Sequence, residues 1–330
     1  MIRPVRFLST GSALPAARLA SEEIDRRMAR RPGFTAGMTG VESRAVAQTE
    51  DQIDLAVAAA RRALDESGLE PEAVGLLLFA AAVPYQSIPA TAPLVQQRLG
   101  LGGGSVAAFD INATCLGFLS AADLAASMIA AGQCRAALVV SAEIASRALP
   151  WDTAPLTAAL FGDGAAAAVI AASDGRAHVA AALTETYPEG YDHCRLGAGG
   201  TRYDFRADPE AFRANSLFEM DGKALYRLTF QHFEPFLHRL LDRAGWRLDE
   251  VDLVLPHQAS ALALDHLVQK CGFSRDIVID IIRDHGNQVA ASLPTVLDHA
   301  RRTGRLVPGT RALMIGTSAG LSLGGMDFVA

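Results

Sequence analysis

Cysteine is scarce in this chain of 330 residues: Cys115, Cys134, Cys194 and Cys271 stand far apart, and no two form a Cys-x-x-Cys pair. Neither a zinc site, so no metal, nor a disulfide framework is suggested. Positive charge is also in deficit, with 30 Lys and Arg against 36 Asp and Glu and a net charge of −6. A nucleic-acid binder would normally carry a basic domain or stripe, so no nucleic acid is expected as partner. No apolar run approaches the roughly 18 residues that cross a bilayer, which argues against membrane insertion. The opening MIRPVRFLSTGSALPAA is too broken for an export signal and reads as a first strand and loop, implying a cytoplasmic protein. Low-complexity segments are missing too. What remains is rich in Ala and Gly and half hydrophobic, enough for a large close-packed core.

The chain does contain a near-repeat. When Ala63–Ala80 (ALDESGLEPEAVGLLLFA) is set over Leu240–His257 (LLDRAGWRLDEVDLVLPH), Asp65 meets Asp242, Gly68 meets Gly245 and Val74 meets Val251. Leu76 then meets Leu253 and Leu78 meets Leu255. Further on, at a slightly shorter offset, Cys115 falls opposite Asn287, Ser120 opposite Ser292 and Gly132 opposite Gly304. One supersecondary unit used twice can place equivalent strand-to-helix corners around a single site.

The periodicity predicts helices at Asp54–Ser67, Pro89–Leu99, Leu116–Ala131, Gly222–Ala244, Ala261–Cys271 and Ser292–Thr303. Buried strands are predicted at Val74–Val83, Val106–Ile111, Arg135–Ala142, Val251–Leu255 and Arg311–Ile315, with a further strand fed by the turn in Phe161–Ile170. Residues 184–216 lose periodicity and read as a linker with an excursion. Alternating strands and helices imply mainly parallel sheets with helices on their faces.

Two corners carry chemistry. In FDINATCLGF (Phe109–Phe118) a strand delivers Cys115 to the start of a helix, where the helix dipole is expected to lower the thiol pKa. Backbone N–H groups there can stabilise an oxyanion on a bound acyl group. The other three cysteines lack such a corner and read as small buried hydrophobes. In VLPHQA (Val254–Ala259) Pro256 ends a strand and projects His257 from its carboxyl end, where α/β proteins build sites. Asn287 lies in the polar corner Asp284–Gln288, and His285 beside it has no assigned role. By itself an Asn next to a Gly is more often a turn residue; its place opposite Cys115 in the repeat raises its standing. A thiol that takes an acyl group, with His and Asn donating to a second thioester carbonyl as it becomes an enolate, forms a coherent set.

INATCLGF, FGDGAAAAV, VLPHQAS, DHGNQVAAS and GTSAGLSLGG occur in the order and spacing of a known family. Over its whole length the chain resembles β-ketoacyl-acyl-carrier-protein synthase III and its relatives in the thiolase superfamily. The resemblance implies a five-layered αβαβα fold of two pseudo-symmetric halves, placed here at 1–174 and 175–330, and a homodimer. It implies an acyl group carried on Cys115 and a malonyl thioester whose decarboxylation is assisted by His257 and Asn287. The oxyanion hole would be the backbone N–H groups of Cys115 and Ala319. Substrates would be CoA or phosphopantetheine thioesters, with no separate cofactor and an acyl-carrier protein or acyl-CoA as partner.

Several positions depart from that pattern. Phe34 and Met38 stand where housekeeping members grip coenzyme with Trp and Arg. Pro155 replaces a further Arg, and Ser260 and Leu262 replace the Asn and Arg after His-Gln-Ala. An Arg pairs bidentately with phosphate in a way that Met, Pro and Leu do not, so acetyl-CoA priming is not expected. Arg227 and Lys270 match carrier-protein contacts, and the Arg26, Arg27, Arg30, Arg31 cluster is either an addition to them or a solvated helix face. Ile88 stands where an aromatic of the partner subunit often closes the acyl tunnel, Phe161 and Ala145 match other wall positions, and smaller side chains at two of these suggest an acyl group longer than acetyl. The competing reading is a Cys-His acyltransferase that passes its acyl group to an alcohol or amine without condensation. Head-to-head condensation is disfavoured because Val83–Ile88 supplies no carboxylate base, and a thiolase because the C-terminal loop has no second cysteine.

Overall fold

The computed structural model describes residues 2–330. Nine strands build two sheets: β1 (Val5–Ala13), β2 (Val74–Ala80), β3 (Ala107–Ile111), β4 (Ala136–Glu143), β5 (Gly164–Ala172), β6 (His178–Thr186), β7 (Leu253–Pro256), β8 (Arg311–Ser318) and β9 (Ser322–Val329). Six helices cover them: α1 (Gln52–Ser67), α2 (Ala92–Leu99), α3 (Gly117–Ala130), α4 (Gly222–Ala244), α5 (Ala261–Cys271) and α6 (Ser292–Arg302). Their ends obey local chemistry. Asp51 and Asp54 form a capping box at the start of α1, and Gly68 closes it in the left-handed region at φ 65°. Asp221 caps α4 and Ser260 caps α5.

The first sheet runs β1-β5-β4-β2-β3 and the second β6-β9-β8-β7. In the first, β2 is parallel to β3 and β4, while β5 is antiparallel to both β1 and β4. The second repeats the pattern: β7 is parallel to β8, and β9 is antiparallel to β8 and β6. A single parallel bridge, Val254 to Val278, stands where the first sheet has β3. The sheets are therefore mixed rather than mainly parallel. The expectation failed because β6 and β9 left no clear helix-strand alternation: β9 lies in the Gly-rich C-terminal run, and β6 enters the aperiodic stretch.

Both sheets are buried on both faces. Between them lie α3 and α6, whose Leu119, Ala122, Ala126, Leu293, Val296 and Leu297 pack against Leu76, Val139, Leu255 and Met314 of the two sheets. Helix α1 covers the outer face of the first sheet against Leu77, Phe79 and Val140. Helices α4 and α5 cover the outer face of the second against Val254, Leu313, Ile315 and Leu323. The order is helix, sheet, helix, sheet, helix, which is the five-layered thiolase-like architecture. Among the described residues no helix is long and apolar enough to cross a membrane.

Candidate active site

Both helices of the central layer begin at a strained corner. A 3-10 turn, Thr114–Leu116, leads into α3, and a second, Val289–Ala291, leads into α6. The first residue of each has positive φ, 49° at Thr114 and 53° at Val289, costly for residues with branched side chains. Each is held by an Asn two positions earlier: Asn112 Oδ1 accepts the Thr114 N–H at 2.9 Å, and Asn287 Oδ1 accepts the Val289 N–H at 2.8 Å. The structural equivalents are thus Asn112 with Asn287 and Cys115 with Ala290. The sequence pairing of Cys115 with Asn287 holds only at the far helix ends, where Gly132 and Gly304 both have positive φ. Helix α3 has 14 residues and α6 has 11, and those three extra residues slide the register. Asn287 and Cys115 nonetheless line one cavity, because each sits at the mouth of its own corner.

That cavity has a volume of 1860 Å³, and Cys115, His257, Asn287, Ser318 and Ala319 line its wall together. The backbone groups of Cys115 and Ala319 act on the Cys115 sulfur in the sense that favours its thiolate. Ala319 lies in the turn between β8 and β9, where Gly320 at φ 77° makes the reversal. His257 follows β7 directly, its N–H donating to Ile315 O at 2.8 Å. The adjacent Gln258 is pinned on four sides: its N–H donates to Ser292 Oγ, Nε2 to Pro256 O and Ile279 O, and Oε1 accepts from Ile281. Asn287 Nδ2 makes one long bond to Ala259 O at 3.4 Å. An amide nitrogen carries two hydrogens, so one remains for a ligand in the cavity.

Burial dominates the electrostatics. It pushes the Cys115 thiol well above its ordinary value, with Cys194 and Glu143 adding to the effect. The expected lowering by the helix dipole is therefore overturned: loss of hydration outweighs the partial charges at the helix start. Burial also lowers His257 to about 4, so its imidazole is neutral near pH 7 and one ring nitrogen is a donor. A neutral thiol and a neutral imidazole define the resting state.

Of the other residues singled out, Met38, Ala145, Phe161, Ser260, Leu262 and Arg227 also line the cavity. Met38 and Leu262 are 59% and 66% exposed and so mark its mouth. Ile88, expected to close the tunnel of a partner subunit, is 86% exposed on the loop after β2 and does not line the cavity of its own chain. Phe34 does not line the cavity either; it packs under the Arg30 guanidinium at 5.2 Å. Lys270 is exposed on the last turn of α5, away from the cavity. Arg26 and Arg27 are paired with Glu23 on their own helix. His285 bonds to Ile281 O and stays outside the cavity.

Sequence reasoning missed Glu143, Lys223 and an aromatic group, Tyr191, Phe218, Tyr226, Phe230 and Phe233, all on the cavity wall. Cys194, read as a structural cysteine, is on that wall as well. Only Glu143 left a signal: one acid ending the otherwise apolar strand AALVVSAE. The aromatics come from residues 191–233, which fold back over the site through a small ladder pairing Cys194–Leu196 with Phe218–Met220. Nothing local announces that return.

A thiolase-like double sheet with a cysteine at one central helix start, and His and Asn across one cavity, defines a class of thioester-handling proteins. Comparison with known proteins narrows it. Residues 109–188 match the family model described as 3-oxoacyl-[acyl-carrier-protein (ACP)] synthase III, and residues 241–328 match its C-terminal counterpart. The chain is 36% identical to beta-ketoacyl-[acyl-carrier-protein] synthase III 3 of Streptomyces coelicolor, over 98% of this chain and 96% of the relative. It is 32% identical to beta-ketoacyl-[acyl-carrier-protein] synthase III of Neisseria meningitidis, over 97% of each. The crystal structure of 3-oxoacyl-[acyl-carrier-protein] synthase III from Aquifex aeolicus superposes with a TM-score of 0.89 at 30% identity, covering 99% of this chain and all of that one. The chain belongs to the β-ketoacyl-acyl-carrier-protein synthase III family.

Proposed function

We infer that this protein is a decarboxylating condensing enzyme of the synthase III type, an acyltransferase with Cys115 as nucleophile. One observation carries the reading: Cys115 and Ala319 line the wall of one cavity together with His257 and Asn287. The Cys115 thiol attacks an acyl thioester, releasing the carrier thiol and leaving the acyl group on sulfur. A malonyl thioester then enters. His257 and the free Asn287 N–H donate to its carbonyl, the C–C bond to the carboxylate breaks, and carbon dioxide leaves an enolate. The enolate carbon attacks the acyl carbonyl, and the resulting oxyanion rests on the two backbone N–H groups. Collapse releases the β-ketoacyl thioester, and the Cys115 thiolate takes up a proton.

CoA or phosphopantetheine thioesters are substrates, and no separate cofactor is needed. The extender is malonyl-acyl-carrier protein, met by Arg227 at the cavity and Lys270 outside it. The acyl group is longer than acetyl, since Ala145 is small and the cavity is large. A homodimer is favoured by the apolar loop of Val83, Tyr85 and Ile88, 48%, 43% and 86% exposed. The two halves meet near residue 174, between β5 and β6. The protein is cytoplasmic and serves fatty-acid or polyketide-type synthesis. Acyl transfer to an alcohol or amine without condensation is not favoured, because it leaves the free Asn287 N–H in the cavity without a task.

The test is a panel of acyl-CoA and acyl-carrier thioesters, with acylation of Cys115 followed by intact mass and malonyl-carrier protein added afterwards. Carbon dioxide and a β-ketoacyl product are expected, with acetyl loading poorly. Discharge only to an added alcohol or amine overturns condensation, and preferred acetyl loading overturns the longer chain.

A further inference from the structure

The two central corners are held differently from behind. The first follows β3, whose Ile111, the residue before Asn112, pairs with Ala80 of β2. The second follows the short helix Ile282–His285, and its backbone pairs instead with a segment just ahead of β5. Asn287 N–H donates to Leu160 O at 2.8 Å, and Gly162 N–H donates to Asn287 O at 3.1 Å, a parallel bridge centred on Phe161. The approach leaves no room for side chains between the two segments. A Cβ at Gly162 would lie 2.1 Å from His285 O, and one at Gly286 would lie 2.9 Å from Leu160 O.

The next residue anchors this strap. Asp163 N–H donates to Ala45 O at 2.9 Å, and its carboxyl accepts Ala47 N–H, Ser146 N–H and the Ser146 hydroxyl at 2.8, 2.9 and 2.6 Å. Phe161 itself is buried, and its ring meets Phe218 edge-on at 5.1 Å. It also shares an apolar cluster with Val289, whose N–H is the one that Asn287 Oδ1 holds. The strap therefore supports Asn287 twice, through its own peptide and through the side chain behind Val289. Asn287 bonds by its side chain to Val289 N–H and, at 3.4 Å, to Ala259 O, so the direction of its free N–H follows from where the backbone sits.

We propose that Phe161 and Gly162 are positioning residues for the malonyl step: the strap Leu160–Gly162 fixes the backbone of Asn287 and so aims its amide at the thioester carbonyl. This rests on the condensing function argued above and adds two residues to it. The bridge is made to the second corner, whereas the Cys115 corner keeps its own hold through β3 and Asn112. Loading and condensation should then separate when the strap is disturbed.

The experiment uses the full-length protein, Gly162→Ala, Phe161→Leu and a control, Gly75→Ala, whose new Cβ would meet the Cys134 Cβ at 2.9 Å outside the cavity. Acylation of Cys115 is followed by intact mass, carbon dioxide release from malonyl-carrier protein is followed on pre-acylated enzyme, and urea unfolding reports stability. In G162A condensation kcat is expected to fall about 10²-fold with KM for malonyl-carrier protein nearly constant. Acylation should fall by less than about threefold. F161L keeps the backbone bridge and should lose about tenfold in condensation, by the same factor for every acyl group loaded. A loss that tracks acyl length would mark a tunnel wall alone and overturn the role of Phe161; if G162A does not fold, this variant decides. G75A should lose stability by overpacking yet keep both rates within about threefold. Equal losses of acylation and condensation in G162A, or a loss of condensation in G75A as large as in G162A, would mark a strap that merely holds the fold, and the proposal would be wrong. Unchanged condensation in G162A would overturn it as well. Wild-type protein that acylates but releases no carbon dioxide overturns the condensing function itself, a result read before any variant is made.

Discussion

The imidazole of His257 is backed by a glycine, and filling that space tests how tightly the site is built. Gly316 lies on β8, and a Cβ placed there would stand 2.6 Å from the His257 Cβ and 3.5 Å from Leu116 Cδ2. Ordinary carbon contacts begin near 3.4 Å, so the overlap is 3.4 − 2.6 = 0.8 Å. The clashing atom is attached to backbone that is itself pinned through Ile315 and Gln258, and it has no free rotamer to yield. Gly316→Ala should therefore displace the imidazole by several tenths of an ångström. A misplacement of about 1 Å costs on the order of 10²-fold in rate, and overpacking costs about 1–3 kcal/mol in stability. The control stands directly across the ladder. Gly316 pairs with Gly324, where a new Cβ would meet Leu116 Cδ1 at 2.8 Å, the end of a flexible side chain. Gly324→Ala should lose similar stability in urea unfolding yet keep carbon dioxide release from malonyl-carrier protein within about threefold. Equal rates in the two variants would refute the argument that Gly316 sets the position of His257.

Three further outcomes are expected. Asn287→Asp keeps the acceptor for Val289 N–H but replaces the donor facing the cavity with a carboxylate oxygen; condensation should fall about 10²–10³-fold while acylation of Cys115 persists, as read by carbon dioxide release and intact mass. Arg44 is fully buried without a carboxylate partner, its guanidinium held by Leu19 O, Ala159 O and Ser21 Oγ and its pKa lowered to about 10 by burial. Arg44→Met should cost several kcal/mol in urea unfolding, since each orphaned buried group costs about 1–3 kcal/mol. Asp327 is buried with no partner for either oxygen, and burial raises its pKa to about 7. In the unfolded chain the carboxyl ionises near 3.8, so its contribution to stability is present at low pH and is lost as pH rises through about 7. Unfolding at pH 5 and pH 8 should therefore show wild type losing stability relative to Asp327→Asn at the higher pH; parallel behaviour would refute it.

Much of the molecule was legible in one dimension. Helices α1, α4 and α5 are announced by their caps and closing glycines, and β2, β4 and β7 by short apolar runs, because those signals act within a few residues. The strand-to-helix corner at Cys115 and the strand end at His257 could be read for the same reason. The near-repeat also pointed to two copies of one unit. Its register at the corners was three residues out, since helix length is set by what each helix packs against, and α3 and α6 meet different neighbours in the central layer.

Most of the helices and the strands of the two parallel ladders, the nucleophile and the imidazole are thus properties of the sequence alone, whereas β6 and β9 are not. What depended on tertiary structure was convergence: that Asn287 answers to Asn112 and Ala290 to Cys115, that Glu143 reaches the cavity wall, and that aromatic residues from 191–233 line it. The same holds for Phe34 and Ile88, neither of which lines that cavity. The thiol's protonation state belongs here as well, because a helix start suggests a thiolate and only burial reverses that. Local pattern encodes which residues make a strand or helix. Which side chains meet across the molecule, and how much water remains between them, follows from packing over distances that no short stretch of sequence records.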